Sequence, residues 1–156
     1  VSKGVWNVGE GQATYEEVLP VLTNPYPSYL SLWTALFRHG MIEQIPRSVS
    51  AVTLGRSKRI STTLGLFDIH HIPLELYGDV QGETGVSAGI ARPEKALFDT
   101  VYFLSNRCAD VTLPELELPE GFSSEVVNGW VEKIVSRRLQ TLTRNNLERV
   151  LQTARR

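Results

Sequence analysis

The segment Ala91-Arg92-Pro93-Glu94-Lys95-Ala96-Leu97-Phe98-Asp99-Thr100-Val101-Tyr102-Phe103-Leu104 carries the clearest structural signal in the chain. Pro93 suits the first position of a helix, where its missing N–H would have no intrahelical partner, and Glu94 complements the positive end of the helix dipole. Leu97, Val101 and Leu104 fall on one face, and Ala96, Phe98 and Phe103 widen the apolar surface until only Lys95, Asp99 and Tyr102 form a polar stripe. A helix of that kind is buried nearly all round. Lys95 and Asp99 are one turn apart, so an i,i+4 ion pair lining a buried helix is the ordinary explanation of both. Arg92 stands where a cap is wanted but cannot accept a hydrogen bond, a local misfit.

Upstream, a second helix follows the loop Asn24-Pro25-Tyr26-Pro27-Ser28. Ser28 or Ser31 can cap it, Leu32, Ala35, Leu36 and His39 share a face, and Gly40 closes it in a left-handed conformation with Met41 packing back on Leu36. This helix is the natural core partner of the one that starts at Pro93. Between them, Val49 to Leu54, Ile60 to Leu64 and Leu66 to Ile72 alternate as strands, and the short connections predict an antiparallel meander whose first link is the basic loop Gly55-Arg56-Ser57-Lys58-Arg59. Val86, Ala88 and Ile90 read as a further strand leading into Pro93. Before the first helix, Tyr15 to Leu19 makes one helical turn stopped by Pro20, and Val1 to Val8 is strand-like.

Downstream, Ser123 caps a helix from about Ser124 to Val135, with a staple between Phe122 and Val127. Arg137-Arg138 separates it from a last helix, capped by Thr143, with Leu147, Val150, Leu151 and Ala154 as its apolar stripe. The resulting expectation is an α+β fold: a small antiparallel or mixed sheet, two buried helices and two C-terminal helices.

The 156 residues are 42% hydrophobic and 21% charged, which suits a globular chain with one core. No apolar run approaches the roughly 20 residues of a membrane span, and no secretion signal is visible, so the expected location is the cytoplasm. A single cysteine, Cys108, cannot form an internal disulfide, and three histidines offer little for a zinc site. No metal or cofactor is expected. The net charge of −1 conceals a segregation. Residues 1–43 carry two basic and four acidic side chains, 44–67 four basic and none acidic, 68–132 three basic and twelve acidic, and 133–156 seven basic and one acidic. Two basic islands flanking an acidic middle fit either an anionic partner or complementary faces of one fold.

Several residues have the chemistry of a site. His70 and His71 are adjacent in a strand and point to opposite faces, so they cannot chelate one ion; one half-buried and one exposed histidine is the expectation. His39 at a helix C-terminus is explained by the dipole, and Cys108, with no local activator except Arg107, reads as a small core residue. Gly78, Gly82 and Gly85 lack the Lys-Ser/Thr that completes a phosphate loop. Asp68 and Glu75 could hold Mg²⁺ in a nuclease or other phosphoryl-transfer domain, an alternative without the lysine that usually follows such acids. The loop residues Arg56, Lys58 and Arg59, and Arg137, Arg138, Arg144 and Arg149 near the end of the chain, are candidates for DNA phosphate contacts.

The order Tyr29-Leu30-Ser31-Leu32-Trp33-Thr34-Ala35-Leu36-Phe37-Arg38-His39-Gly40, then Glu43-Gln44-Ile45-Pro46, a β-rich segment, and Arg92-Pro93-Glu94-Lys95-Ala96-Leu97-Phe98-Asp99 resembles the AbiEi family, antitoxins of type IV toxin–antitoxin and abortive phage-infection systems. The Pro-Glu-Lys-Ala-Leu-x-Asp block is its most specific part. The resemblance implies a winged-helix domain ahead of this one, with residues 1–10 as its last strand and linker and 11–156 as an AbiEi-like C-terminal α/β domain. It implies a non-enzymatic bacterial transcriptional regulator that binds DNA mainly through the preceding domain and counters a nucleotidyltransferase toxin without a stable complex. A purely protein-binding domain is the remaining alternative. No catalytic residue is carried over from the family.

Overall fold

A computed structural model describes residues 13–108 and 110–155, and the strand expected at Val1–Val8 lies outside them. The architecture is α+β: among the described residues, five helices and a six-stranded mixed sheet. In chain order the elements are α1 (Tyr15–Thr23), β1 (Ser28–Leu30), α2 (Leu32–Arg38), β2 (Val49–Thr53), β3 (Lys58–Thr62), β4 (Gly65–His71), a single 3-10 turn at Leu74–Leu76, β5 (Val80–Gln81), β6 (Gly89–Ala91), α3 (Pro93–Arg107), α4 (Ser124–Val131) and α5 (Arg137–Thr153).

The expected meander does not form. The strand order is β3-β4-β2-β1-β6-β5, with β4 inserted between β2 and β3. β4 runs parallel to β2 and antiparallel to β3, so of the two links within the expected meander only β3–β4 is a hairpin. Burial explains the exchange. β4 supplies Phe67 and Ile69, both fully buried, whereas β3 carries Lys58, Arg59, Ser61 and Thr62. A charged strand is tolerated at the edge, where its unpaired side faces water and its lysine discourages pairing with another chain. Lys58 and Arg59 therefore belong to an edge strand rather than to a loop.

The sheet separates two apolar clusters. Tyr29, Val52 and Ala91 join the larger one beneath α2, α3, α4 and α5. Leu30, Val49, Ala51, Phe67 and Ile69 face Val18, Leu19 and Leu22 of α1 on the other side. Alternation along β1 makes the division, since consecutive strand residues point to opposite faces.

Pro20 does not stop α1, which continues to Thr23. Thr14 caps the helix: its Oγ1 accepts from Glu17 N at 3.3 Å and its hydroxyl donates to Glu17 Oε1 at 3.2 Å. A proline at position 20 removes the N–H that would reach the Glu16 carbonyl. That carbonyl accepts from Ala88 N at 2.8 Å instead, which ties the helix to the segment entering β6.

α2 ends as its sequence implies. Gly40 is left-handed at φ 72°, Met41 N donates to Leu36 O at 2.9 Å and Gly40 N to Phe37 O at 3.0 Å, the two bonds of a Schellman motif. Its start differs: Ser28 lies in β1, and Ser31 occupies the cap position without a cap hydrogen bond from its side chain. α4 closes at Val131 rather than Val135, because Gln140 Nε2 donates to the carbonyls of Val131 and Glu132 at 3.2 Å and Ile134 at 3.4 Å. Ser136, not Thr143, caps α5 through Leu139 N at 3.3 Å, so Arg137 and Arg138 form its first turn. Thr143 is inside the helix, and its buried hydroxyl has no partner among the described residues.

Candidate nucleic-acid interface

The turn from β2 into β3 presents the first basic island. Arg56, Ser57 and Lys58 line a cleft of about 590 Å³ together with Tyr26, Thr53 and His71. His71 Nδ1 lies 2.9 Å from Gly55 O, and His71 N donates to Ser57 Oγ at 2.8 Å, so the end of β4 holds the turn. Gly55 has a steric reason: a Cβ there would sit 2.6 Å from Cδ2 of Tyr26, whose ring lies across the turn. Arg59 follows Lys58 on β3 and points to the opposite side of the strand. Arg56, Lys58 and Arg59 are all exposed. None of them forms an ion pair among the described residues. Cations on a charged edge beside an exposed tyrosine and hydroxyl groups can neutralise phosphates.

The second island behaves differently. Arg144 Nη2 reaches Glu132 Oε1 at 2.7 Å, and Arg149 Nη2 lies 3.4 Å from Asp110 Oδ1 and also donates to Asn146 Oδ1. Arg137 and Arg138 are exposed at the start of α5. None of these four lines the β2–β3 cleft, so the seven candidates form two separate groups.

Lys95 and Asp99 form the ion pair expected of them, at 2.6 Å with both side chains wholly buried. Tyr29 OH donates to Asp99 Oδ2 at 3.0 Å, Ser31 Oγ donates to the same oxygen at 2.7 Å, and Lys95 Nζ donates to Tyr29 OH at 2.8 Å. Ser31 is therefore no helix cap, because its hydroxyl is turned to Asp99. The indole of Trp130 lies over Lys95 Nζ, 4.6 Å from its centroid, with Lys133 Nζ at 4.1 Å. Burial pushes the Asp99 carboxyl up and pulls the Lys95 ammonium down, and their mutual attraction opposes both shifts. Burial and the Asp99 charge raise the Tyr29 phenol well above its ordinary value. Closed to water, the cluster fastens β1 to α3.

Arg92, the misfit cap, is engaged sideways: its N–H donates to Asp79 O at 3.0 Å and its guanidinium to Gln81 Oε1 at 3.3 Å. His39 Nε2 lies 2.7 Å from Ala91 O, and Cys108 is not a core residue but is exposed, because it falls just past the end of α3. His70 is half-buried and His71 exposed, as their alternation requires. Glu75 is exposed in the 3-10 turn. Asp68 lines a second cleft, of about 350 Å³, that Glu75 does not reach. Among the described residues no three His, Cys, Asp or Glu side chains gather in the arrangement a metal ion needs.

That second cleft holds what the sequence reading missed. Asp68 Oδ1 is 3.7 Å from His70 Nε2, and both face the cavity with Arg47 and Arg107. The signal was the spacing Asp68-x-His70, because strand residues two apart share a face. Considering His70 with His71, and Asp68 with Glu75, concealed it. Burial lowers the His70 pKa, Asp68 raises it and Arg107 lowers it. Among the described residues no helix is long and apolar enough to cross a membrane. No protein-family model, curated protein or solved structure matches this chain.

Proposed function

We propose that the chain is the C-terminal domain of an AbiEi-like bacterial transcriptional regulator, a non-enzymatic cytoplasmic module that assists DNA binding and neutralises a nucleotidyltransferase toxin. The observation that supports it best is a set of cations with no ion pair among the described residues, Arg56 and Lys58 in the cleft with Tyr26 and Ser57, and Arg59 next along the charged edge strand. Contacts of that kind position a domain along DNA without reading its sequence. Specificity then belongs to a winged-helix domain preceding this one. The resemblance of the Arg92–Asp99 block to the family supplies the antitoxin half of the reading.

Fluorescence anisotropy of a labelled non-specific duplex at two salt concentrations tests the DNA half. Binding is expected to be weak and to fall steeply with salt. Replacing Arg56, Lys58 and Arg59 together by alanine should reduce the log–log salt slope by up to ~3, about 0.9 for each lost phosphate contact. Arg144→Ala with Arg149→Ala should change it little, since those side chains are held by acids of the same fold. No binding at low salt, or a slope that the triple substitution leaves intact, removes the β3 edge as a DNA surface. Loss of toxin neutralisation, measured as growth of cells expressing the cognate toxin, tests the other half with the same variants.

A further inference from the structure

We propose that the cleft between α2, α3 and residues 42–48 binds a nucleotide unit, with Arg47 and Arg107 on its phosphate and Trp33 and Phe103 against its base. The cavity measures about 350 Å³, within the range of small-molecule sites. Its charged lining is two guanidinium groups and one carboxylate, Asp68. The other described arginines near acids are engaged: Arg38 with Glu16, Arg92 with Asp79, Arg144 with Glu132, Arg149 with Asp110 and Arg155 with Glu115. Arg47 and Arg107 form no such pair among the described residues, although both open on one cavity that Asp68 does not neutralise. A phosphate matches that excess, because guanidinium groups bind its oxygens in a fixed fork.

The remainder of the lining excludes a plain anion hole. Trp33 and Phe103 provide flat apolar walls, and Phe103 also lies against the His70 ring with 5.3 Å between centroids. Gln44 and Ser48 add an amide and a hydroxyl with no side-chain hydrogen bond among the described residues, groups suited to a base edge or a sugar. An aromatic body joined to an anion is what such a lining recognises, and a nucleotide has that form. Backbone strain adds an independent sign. Leu32, which opens α2 and lines the cleft from the core side, is held at φ 57°, a conformation a leucine rarely adopts and one that concentrates at functional sites. The cleft shares none of Arg56, Lys58 or Arg59, so it stands apart from the DNA reading.

The test is calorimetric titration of the whole chain with AMP, GMP, CMP and UMP at low ionic strength, with the nucleosides and inorganic phosphate alongside. At least one mononucleotide should bind saturably with a Kd of about a millimolar or tighter, and its nucleoside and inorganic phosphate should bind far more weakly. Arg47→Gln and Arg107→Gln, both at exposed positions, should each weaken it about tenfold or more, with unchanged thermal melting. The Arg56, Lys58 and Arg59 triple substitution should leave it unchanged. A short single-stranded oligonucleotide separates two sources of the same unit: tighter binding than the mononucleotide assigns it to a strand, equal or weaker binding to a free nucleotide. No saturable binding of any of these, inorganic phosphate binding as tightly as the nucleotides, or affinity indifferent to both arginine substitutions would overturn the proposal.

Discussion

Lys95 and Asp99 stand one helical turn apart in α3 with no access to water, and their cost of desolvation is offset only because every charged atom has a partner. Removing one member leaves a buried charge without compensation. Lys95→Met should therefore lower stability by about 3–5 kcal/mol, while Lys95→Met combined with Asp99→Leu should recover much of that loss. Chemical denaturation of the two single variants and the double variant gives the coupling directly, and a double variant as unstable as the sum of the singles would show that the network is not a unit. His70 adds a dependence on pH. Burial holds its pKa below the ordinary imidazole value, so between the two values the unfolded chain binds more protons than the folded one. Stability contributed by this group is complete above about pH 6.5 and is lost as pH falls below it towards the folded value. Melting temperatures measured from neutral pH down to the onset of carboxylate titration should fall less steeply for His70→Gln than for the parent protein.

Secondary elements here take their places by what their side chains do at a distance. Ser31 has the identity and position of a helix cap, yet its hydroxyl binds Asp99, and the first residue of α2, Leu32, adopts a left-handed backbone beside it. The two central helices are thereby joined through a strand end as well as through apolar packing. On the opposite half of the sheet, β5 and β6 pair antiparallel over a narrow register, Val80 with Ala91 and Gln81 with Ile90. Gly89 permits this approach, because a Cβ there would meet Val80 and lie 2.7 Å from the Gln81 carbonyl oxygen. Gly89→Ala should destabilise the protein by about 1–3 kcal/mol through a forced backbone shift. Amide exchange at Val80 and Gln81 should quicken in that variant; unchanged protection would show that the β5 strand yields without losing its pairing.

At the scale of the molecule, the charge segregation visible in the chain has two outcomes. The acidic middle and the basic end meet in space through Glu132 with Arg144, Asp110 with Arg149 and Glu115 with Arg155. Such exposed pairs contribute little stability each, typically below about 1 kcal/mol, but they neutralise Arg144, Arg149 and Arg155 locally. The island at residues 44–67 has no counterpart of that kind among the described residues. Its cations divide between the β3 edge, with Arg56, Lys58 and Arg59, and the cleft that Arg47 shares with Arg107 of α3. The same sheet thus presents an outward basic edge and an inward-facing cavity, which is why the DNA and nucleotide proposals can be tested with separate substitutions.

The amino-acid order by itself determined the two central helices, the left-handed close at Gly40, the helix start at Pro93, the pairing of Lys95 with Asp99 and the opposite environments of His70 and His71. Each of these depends on contacts within about one helical turn or on strand alternation, and such periods are written into consecutive residues. Only the tertiary structure decided the strand order, the continuation of α1 through Pro20, the choice of Ser136 over Thr143 as a cap and the approach of Arg47 and Arg107 to the Asp68–His70 pair. The parallel pairing of β2 with β4 and of β1 with β6 joins segments that are not neighbours in the chain, and the more apolar strand takes the interior position whatever the length of the connection. Likewise Pro20 is accommodated by an N–H from Ala88, far along the sequence. Local chemistry selects the elements; burial and hydrogen-bond partners supplied from distant segments determine which of them become neighbours.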